Sequence, residues 1–330
     1  MRSGLPRRSW LGLLGAACAA VWVQSLAQGP IARIGVLASA SGLPQVPAPI
    51  QALREGLRAL GYVEGRTLEI EYRWADGNAA RLPELAAELV RSRVALIVAT
   101  GDAPIRAAMA ATRSIPIVMA TSGDAVGAGF VASLARPGGN VTGMTAINPE
   151  LAAKRLQLLL EILPRARRIG ALYQSDDPVH RLDLRAAQAA AAQLGLSLLP
   201  VGLQAPQDID RAFDELLRTP LDALLVFNDT TTVQVRERIL QLCAQHRLGS
   251  MFEAREWAAA GGLLAYGVAH VDLFRQSAQH VHRILQGARA ADLPVQQPTR
   301  VRLAINLKTA RALGITIAQP LLLRADELIE

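Results

Sequence analysis

Between residues 34 and 266 the chain alternates short apolar runs with amphipathic stretches, and this rhythm restricts the fold more than any other feature. Ile34-Gly35-Val36-Leu37 is a continuous apolar run, the pattern of a strand covered on both faces. Ile50, Leu53, Leu57 and Leu60 follow at helical spacing, and Gly61 stops that helix. Leu68, Ile70, Tyr72 and Trp74 alternate with Glu69, Glu71 and Arg73, which predicts a strand with one solvated face. Leu82, Leu85, Ala86 and Leu89 mark a helix, and strands are expected over 94–99, 115–119 and 141–144. The second half repeats the pattern. Leu156, Leu159, Leu160 and Leu163 form a helix that Pro164 ends. Strands follow at 169–173, 196–201, 223–227, near Met251 and at 263–266, separated by helices over 182–194, 208–217 and around Ile239 and Leu242. Strict alternation argues for parallel, doubly wound sheets, and some ten strands suit two sheets better than one. Gly138-Gly139-Asn140 and Gly261-Gly262 are the expected crossings between the two lobes, since each sets flexible backbone beside a strand.

With 330 residues, 51% hydrophobic and 19% charged, the chain has enough material for two ordinary domains. Aromatics are only 4%, so the core must be aliphatic. Arg2, Arg7 and Arg8 precede an apolar run and then Ser25-Leu26-Ala27, the basic, apolar and small-residue order of a signal peptide over residues 1–27. The apolar run is about 14 residues, short of the roughly 20 that span a membrane. Arg7-Arg8-Ser9-Trp10-Leu11 also approximates a twin-arginine signal. Lipidation at Cys18 is disfavoured by Gly15 three residues earlier. A periplasmic location is expected. Removal of the leader lowers the formal charge from +7 to about +4, and the remaining arginines are scattered among acids, which argues against nucleic acid. Cys243 is then the one remaining cysteine, expected to be a buried, inert thiol on a helix's inner stripe.

Open α/β sheets bind ligands beyond the carboxyl ends of their strands. The polar residues there nominate a site: Ser39, Ser41, Thr100, Asp102, Ser122 and Asp124 in the first half. In the second half they are Asp176, Asn228, Asp229, Glu253 and Tyr266, with Gln174 and Ser175 beside Asp176. For Asp102, Asp124 and Asp229 helix capping is an equal reading. Enzyme signatures such as a nucleophile elbow, a zinc-protease helix or a Walker A loop are absent from the sequence. Gly127 to Ala132, with Glu150 downstream, fits a relaxed dinucleotide fingerprint, but it lies seven residues beyond the preceding strand. His280 and His282 are two apart on a helix and face different ways, while His180, His246 and His270 are isolated, so no metal and no cofactor is expected.

Several segments together resemble a family: Gly61-Tyr62-Val63-Glu64-Gly65, Glu71-Tyr72-Arg73-Trp74-Ala75-Asp76-Gly77, and the stretch from Arg81-Leu82-Pro83-Glu84 to Glu88-Leu89-Val90. Further segments are Val131-Ala132-Ser133-Leu134-Ala135-Arg136-Pro137-Gly138-Gly139-Asn140-Val141-Thr142-Gly143, Ile305-Asn306-Leu307-Lys308-Thr309-Ala310 and Leu323-Arg324-Ala325-Asp326-Glu327-Leu328-Ile329-Glu330. They are similar to the ABC transporter substrate-binding proteins that include tryptophan-binding members. The resemblance implies the type I periplasmic-binding fold, two Rossmann-like lobes joined by three crossings that close on a ligand. On that plan residues 28–144 plus about 268–290 form the N-terminal lobe, and 145–267 plus about 291–330 the C-terminal lobe. It also implies a membrane permease with its cytoplasmic ATPase as partners and a small, amino-acid-like ligand. With enzyme signatures absent, no catalysis is expected, and the protein is expected to be a monomer. The chain departs from the family with Gly123-Asp124-Ala125-Val126 in place of Gly-Asp-Pro-Val, and Asp102-Ala103 in place of Thr-Pro. The competing reading is a ligand-sensing periplasmic protein acting on a separate receptor.

Overall fold

The computed structural model describes residues 31–42, 46–146, 148–176 and 178–330. The expected signal peptide, with its arginine pair and Cys18, lies outside the described residues. In chain order the elements begin with β1 (Ala32–Ala38), α1 (Ala48–Ala59), β2 (Leu68–Trp74), α2 (Leu82–Arg91), β3 (Ile97–Thr100), α3 (Asp102–Ala111), β4 (Ile117–Thr121) and β5 (Val141–Gly143). They continue with α4 (Asn148–Ile162), β6 (Arg168–Gln174), α5 (Pro178–Gln193), β7 (Ser197–Leu203), α6 (Ile209–Leu216), β8 (Ala223–Val226), α7 (Thr230–Gln234), α8 (Arg236–Gln245) and β9 (Gly249–Phe252). The last are α9 (Arg255–Ala259), β10 (Leu264–Gly267), α10 (His270–Leu285), β11 (Arg302–Asn306), α11 (Leu307–Leu313), α12 (Gln319–Arg324) and β12 (Glu327–Ile329).

Two sheets result, as the alternation requires. The first has the order β2-β1-β3-β4-β5, with every pairing parallel. The second has the order β12-β11-β10-β9-β8-β6-β7. Read from β7 inward it repeats the first sheet, the second strand outside the first and the rest following in sequence, then adds two strands. β11 runs antiparallel to β10, which breaks the parallel rule at one place only among the described strands. Neither β11 nor β12 was expected as a strand. Both are short, at 5 and 3 residues, and too brief to show a period.

Helices cover both faces of each sheet because both faces are apolar. Ile50, Leu53 and Leu57 of α1 and Phe274, Ala278 and Val281 of α10 meet Ile34, Val36 and Val98 on one face of the first sheet. Leu85 and Leu89 of α2 and Ile105 of α3 meet Leu37, Ile97 and Met119 on the other. In the second sheet α4 and α5 cover one face through Leu156, Leu159, Leu184 and Ala187. Phe213, Ile239, Leu242 and Trp257 from α6, α8 and α9 cover the opposite face. Cys243 lies in that layer, where burial pushes its thiol up to about 12, so it is an inert apolar group.

The chain crosses between the sheets at places other than the two glycine pairs. Gly138 to Asn140 still precedes a strand of the first sheet, and Asn140 accepts from Ile117 N–H at 2.7 Å. Gly261 and Gly262 lie between α9 and β10, inside the second layer. The true crossings follow β5, follow β10 and precede β11. They are laced together: Met144 and Gln296 form a bridge, and Thr142 Oγ1 donates to the Leu293 carbonyl at 2.7 Å. Met144, Ala146, Val268 and Leu273 pack in a small core of their own, with Val301 against it. All three crossings thus share one apolar plug, which explains why flexibility in sequence did not mark them.

Gly143 sits at this plug with φ of 133°, and an added Cβ would stand 2.3 Å from the Met119 carbonyl oxygen. Gly143→Ala should therefore lower unfolding free energy by more than about 1 kcal/mol, read from the denaturant midpoint at unchanged slope.

Candidate functional site

In both sheets the strand order reverses beside the first strand, between β1 and β3 and between β6 and β8. Crossover connections leave on opposite sides there, so the carboxyl ends open onto a crevice. A cavity of about 530 Å³ occupies the space between the two crevices. From the first sheet it is lined by Ser39 and Ser41 after β1, Thr100 and Asp102 after β3, and Ser122 after β4. Gln174 at the end of β6 and Asn228 and Asp229 after β8 line it from the second. Eight of the residues nominated from strand ends therefore face one cavity.

Asp124, Asp176, Glu253 and Tyr266 do not. Asp124 folds back on its own turn, accepting from Val126 N–H at 3.2 Å and Gly127 N–H at 2.8 Å. That turn is the stretch resembling a dinucleotide fingerprint; it is neither preceded directly by a strand nor followed by a helix. Asp176 is exposed and accepts from Ser175 Oγ. Glu253 lies behind the cavity wall, where its Oε1 takes Arg155 Nη1 at 2.6 Å. The pair is almost sealed, at 1% and 5% side-chain exposure. Tyr266 contributes its backbone carbonyl to Arg155 Nε at 2.9 Å, and its ring packs into the core. Glu253 Oε2 also accepts from Asn228 N–H at 3.0 Å, so this buried pair fixes the loop that carries Asn228 and Asp229.

The aspartates that do reach the cavity are mostly occupied by backbone. Asp229 caps α7: Oδ1 accepts from Thr232 N–H at 2.7 Å, while Oδ2 accepts from Gln174 N–H at 3.0 Å. Burial raises its carboxyl, with His180 and these donors acting the other way. Asp102 accepts from Ser122 Oγ at 2.7 Å and from Gly123 N–H, tying the ends of β3 and β4 together. Asn228 turns its side-chain oxygen away to Trp257 Nε1 at 2.8 Å.

Other lining residues were missed from sequence. Trp74 ends β2 and stacks on Tyr72 at 5.6 Å with 5° between planes. Its alternation with Leu68, Ile70 and Tyr72 marks a core face; only the fold shows that the last ring projects past the sheet into the cavity. That ring is seated on Gly42, where a Cβ would come within 2.2 Å of it. Phe274 and His270 come from α10, and burial lowers the His270 imidazole, favouring its neutral form. His180 and Asp183 come from α5, one turn apart on the stripe with Leu184, Ala187 and Ala191. An Asp on an otherwise apolar stripe was the available signal, and strand-end reasoning passed over it. Asp183 is 1% exposed, and both of its carboxylate oxygens are buried without a hydrogen-bond partner. Burial first, then the Glu253 charge, pushes its carboxyl up to about 8, against the pull of His180 and Arg155.

His280 Nε2 meets the Pro294 carbonyl and His282 Nδ1 meets Tyr62 Oη, on different faces of α10. No group of three or more His, Cys, Asp or Glu suited to a metal occurs among the described residues. Nor is any described helix long and apolar enough to cross a membrane.

Because Asp229 caps α7 and Asp124 closes its own turn, the expected cost of Asp229→Ala is about 1–2 kcal/mol, and of Asp124→Ala at most about 1 kcal/mol. Chemical denaturation of each variant measures it; unchanged midpoints would remove the capping assignment.

Residues 33–329 match the family described as ABC transporter substrate binding protein. A curated relative, the tyrosine-binding protein of Clostridioides difficile (strain R20291), is 25% identical over 278 residues, 83% of this chain and 80% of the relative. Among solved structures, a conserved domain protein from Vibrio cholerae superposes with a TM-score of 0.86 at 29% identity, covering 91% of this chain and 100% of that one. An ABC domain from Streptococcus pneumoniae in complex with L-Trp gives 0.85 at 27% identity, with the same coverage. Two lobes of mostly parallel sheet in the type I periplasmic-binding arrangement agree with this. On these grounds the chain is a solute-binding protein and belongs to the ABC transporter substrate binding protein family.

Proposed function

We propose that this protein captures a small amino-acid-like solute in the cavity between its sheets, outside the cytoplasmic membrane, and delivers it to a permease and its ATPase without changing it. The observation that carries the reading is the cavity itself. It is bounded by strand ends of both sheets, and its volume of about 530 Å³ falls in the usual range for small ligands. At its rim Gln234 Nε2 donates to the Gly77 carbonyl at 3.4 Å, joining residues 157 apart in sequence. Relative movement of the two sheets would break or re-form such a contact, and that is the motion a carrier needs.

The lining supports the ligand class. Ser39, Ser41, Thr100, Ser122 and Thr231 offer hydroxyls, and Trp74 and Phe274 offer rings to an apolar side group. The tyrosine-binding relative and the L-Trp complex point the same way. Asp124, Asp176, Glu253 and Tyr266 hold the walls in this reading, while Ser39, Ser41, Thr100, Asp102, Ser122, Asn228 and Asp229 face the solute. We further assign residues 28–144 and about 268–290 to one moving lobe and 145–267 with about 291–330 to the other, with the protein acting as a monomer.

Thermal-shift measurement over amino acids, sugars, purines and carboxylates should find a solute that raises the melting temperature, since binding to the folded state alone stabilises it. Scattering should show compaction with that solute, and it should be recovered unchanged. Trp74→Ala should weaken an aromatic solute about tenfold. Steady turnover would favour an enzyme, and binding with no compaction would favour a sensor of a separate receptor.

Intact mass of protein from its native host should lack residues 1 to about 27, in line with the basic, apolar and small-residue order there. A full-length product would overturn export.

A further inference from the structure

The described cavity lining includes Asp76, Asp102, Asp183 and Asp229 but no lysine or arginine. Three of these acids are engaged. Asp76 pairs with Arg81 at 2.6 Å, Asp102 holds Ser122 and Gly123, and Asp229 caps α7. Behind the wall, Arg155 is already matched to Glu253 at 2.6 Å and to the Tyr266 carbonyl. Asp183 remains, sealed from bulk water at 1% exposure, lining the cavity, with both oxygens lacking a hydrogen-bond partner. A buried carboxyl in that position costs stability unless something satisfies it, and natural cores rarely keep one without use.

We propose that Asp183 is the specificity residue of this site, accepting hydrogen bonds from a protonated amine on the solute. This rests on the carrier reading above and narrows its ligand class to small solutes that carry a cationic nitrogen. A metal ion would need further acidic or imidazole ligands in reach, and no such cluster occurs among the described residues. A neutral hydroxyl would satisfy one oxygen but supply no charge to pair with the carboxylate form of Asp183. An ammonium does both: it supplies up to three donors and a compensating charge.

A second consequence is proton release. The charged groups facing Asp183 are Glu253 after β9, His180 on its own helix, Arg155 of α4 and Asp102 of α3. Burial and the two acids hold the Asp183 carboxyl well above the ordinary range, so below about pH 8 it is largely protonated in the empty site. When the ammonium arrives, the carboxyl O–H breaks, its proton goes to solvent, and the carboxylate pairs with the cation. Affinity should therefore rise with pH toward about 8 and then level. Without ligand the sign runs the other way for stability. A folded value raised above the unfolded one favours the protonated fold, so stability declines as pH climbs from the ordinary Asp range toward about 8. Asp183→Asn, which keeps the shape and removes the ionisation, should flatten that decline.

The test uses the intact mature protein and Asp183→Asn, titrated calorimetrically with L-tryptophan, L-tyrosine and the other common L-amino acids. 3-Indolepropionate and simple sugars serve as probes without an amine. Support requires three results: an amine-bearing probe binds and releases protons into buffers of differing ionisation enthalpy, 3-indolepropionate binds at least tenfold weaker, and Asp183→Asn loses at least tenfold in affinity together with the proton release. The variant should melt no earlier than the parent at pH 7, which separates a binding role from a structural one. If Asp183→Asn binds amines as tightly with the same proton count, or if only sugars bind, the proposal is overturned while the carrier reading stands. If none of these probes binds and the wider solute screen is also negative, both readings fall.

Discussion

Parallel strands need crossover connections, and crossovers that wind first one way and then the other leave a gap where they diverge. In this protein that gap occurs twice, between β1 and β3 and between β6 and β8. The two gaps open toward one another across the cavity. Many of the polar groups of the cavity owe their position to this constraint, because strand ends are where a chain turns and exposes backbone and short polar side chains. Ser39, Thr100 and Asn228 need no special local signal to converge; the sheet order brings them together.

Charge in the cavity wall follows from a single sealed ion pair. Arg155 could have neutralised any of the nearby acids, but its guanidinium is committed to Glu253 and to the Tyr266 carbonyl. Isolated burial of either partner would be severely destabilising, so the pair holds firmly, and Glu253 passes the constraint on to Asn228 N–H. The remaining acid of this wall, Asp183, is left with no hydrogen-bond partner for either oxygen. The same geometry that stabilises the loop after β8 therefore leaves one buried carboxyl of the site unsatisfied.

Any movement of one sheet on the other, as the proposed carrier role needs, would have to pass through the three crossings. Thr142, Gly143, Met144 and Gln296 form a compact knot of strand-like and hydroxyl-to-carbonyl bonds, capped by Val268 and Leu273. Bringing all three crossings into one packed knot is the arrangement that closure on a solute by rotation would use. α10 starts at the second crossing and contributes His270 and Phe274 to the cavity while its remainder packs on α1. Any rotation at the plug is thus felt at the lining.

The sequence by itself determined the fold class and half of the site. Period-two and period-3.6 apolar spacing is a local property, and it forces α/β layers whatever else happens. Strand ends are also local, which is why Ser39, Ser41, Thr100, Asp102, Ser122, Asn228 and Asp229 could be named before they were seen to face one cavity. Helix capping was foreseeable as an alternative. It holds for Asp229 but not for Asp124, which has no helix directly after it. The second oxygen of Asp229 is taken by Gln174 N–H, 55 residues away, which no local pattern shows. Only the tertiary structure decided where the lobes cross, because a hinge held by packing between residues 144 and 301 leaves no flexible sequence to find. It also decided the part played by Trp74 and Asp183. Trp74 reads as one more apolar residue of a strand and Asp183 as one polar residue in an amphipathic helix. Their distinction comes from distant partners: the Gly42 backbone that seats one ring, and an Arg155 already taken by Glu253 that leaves one carboxyl uncompensated.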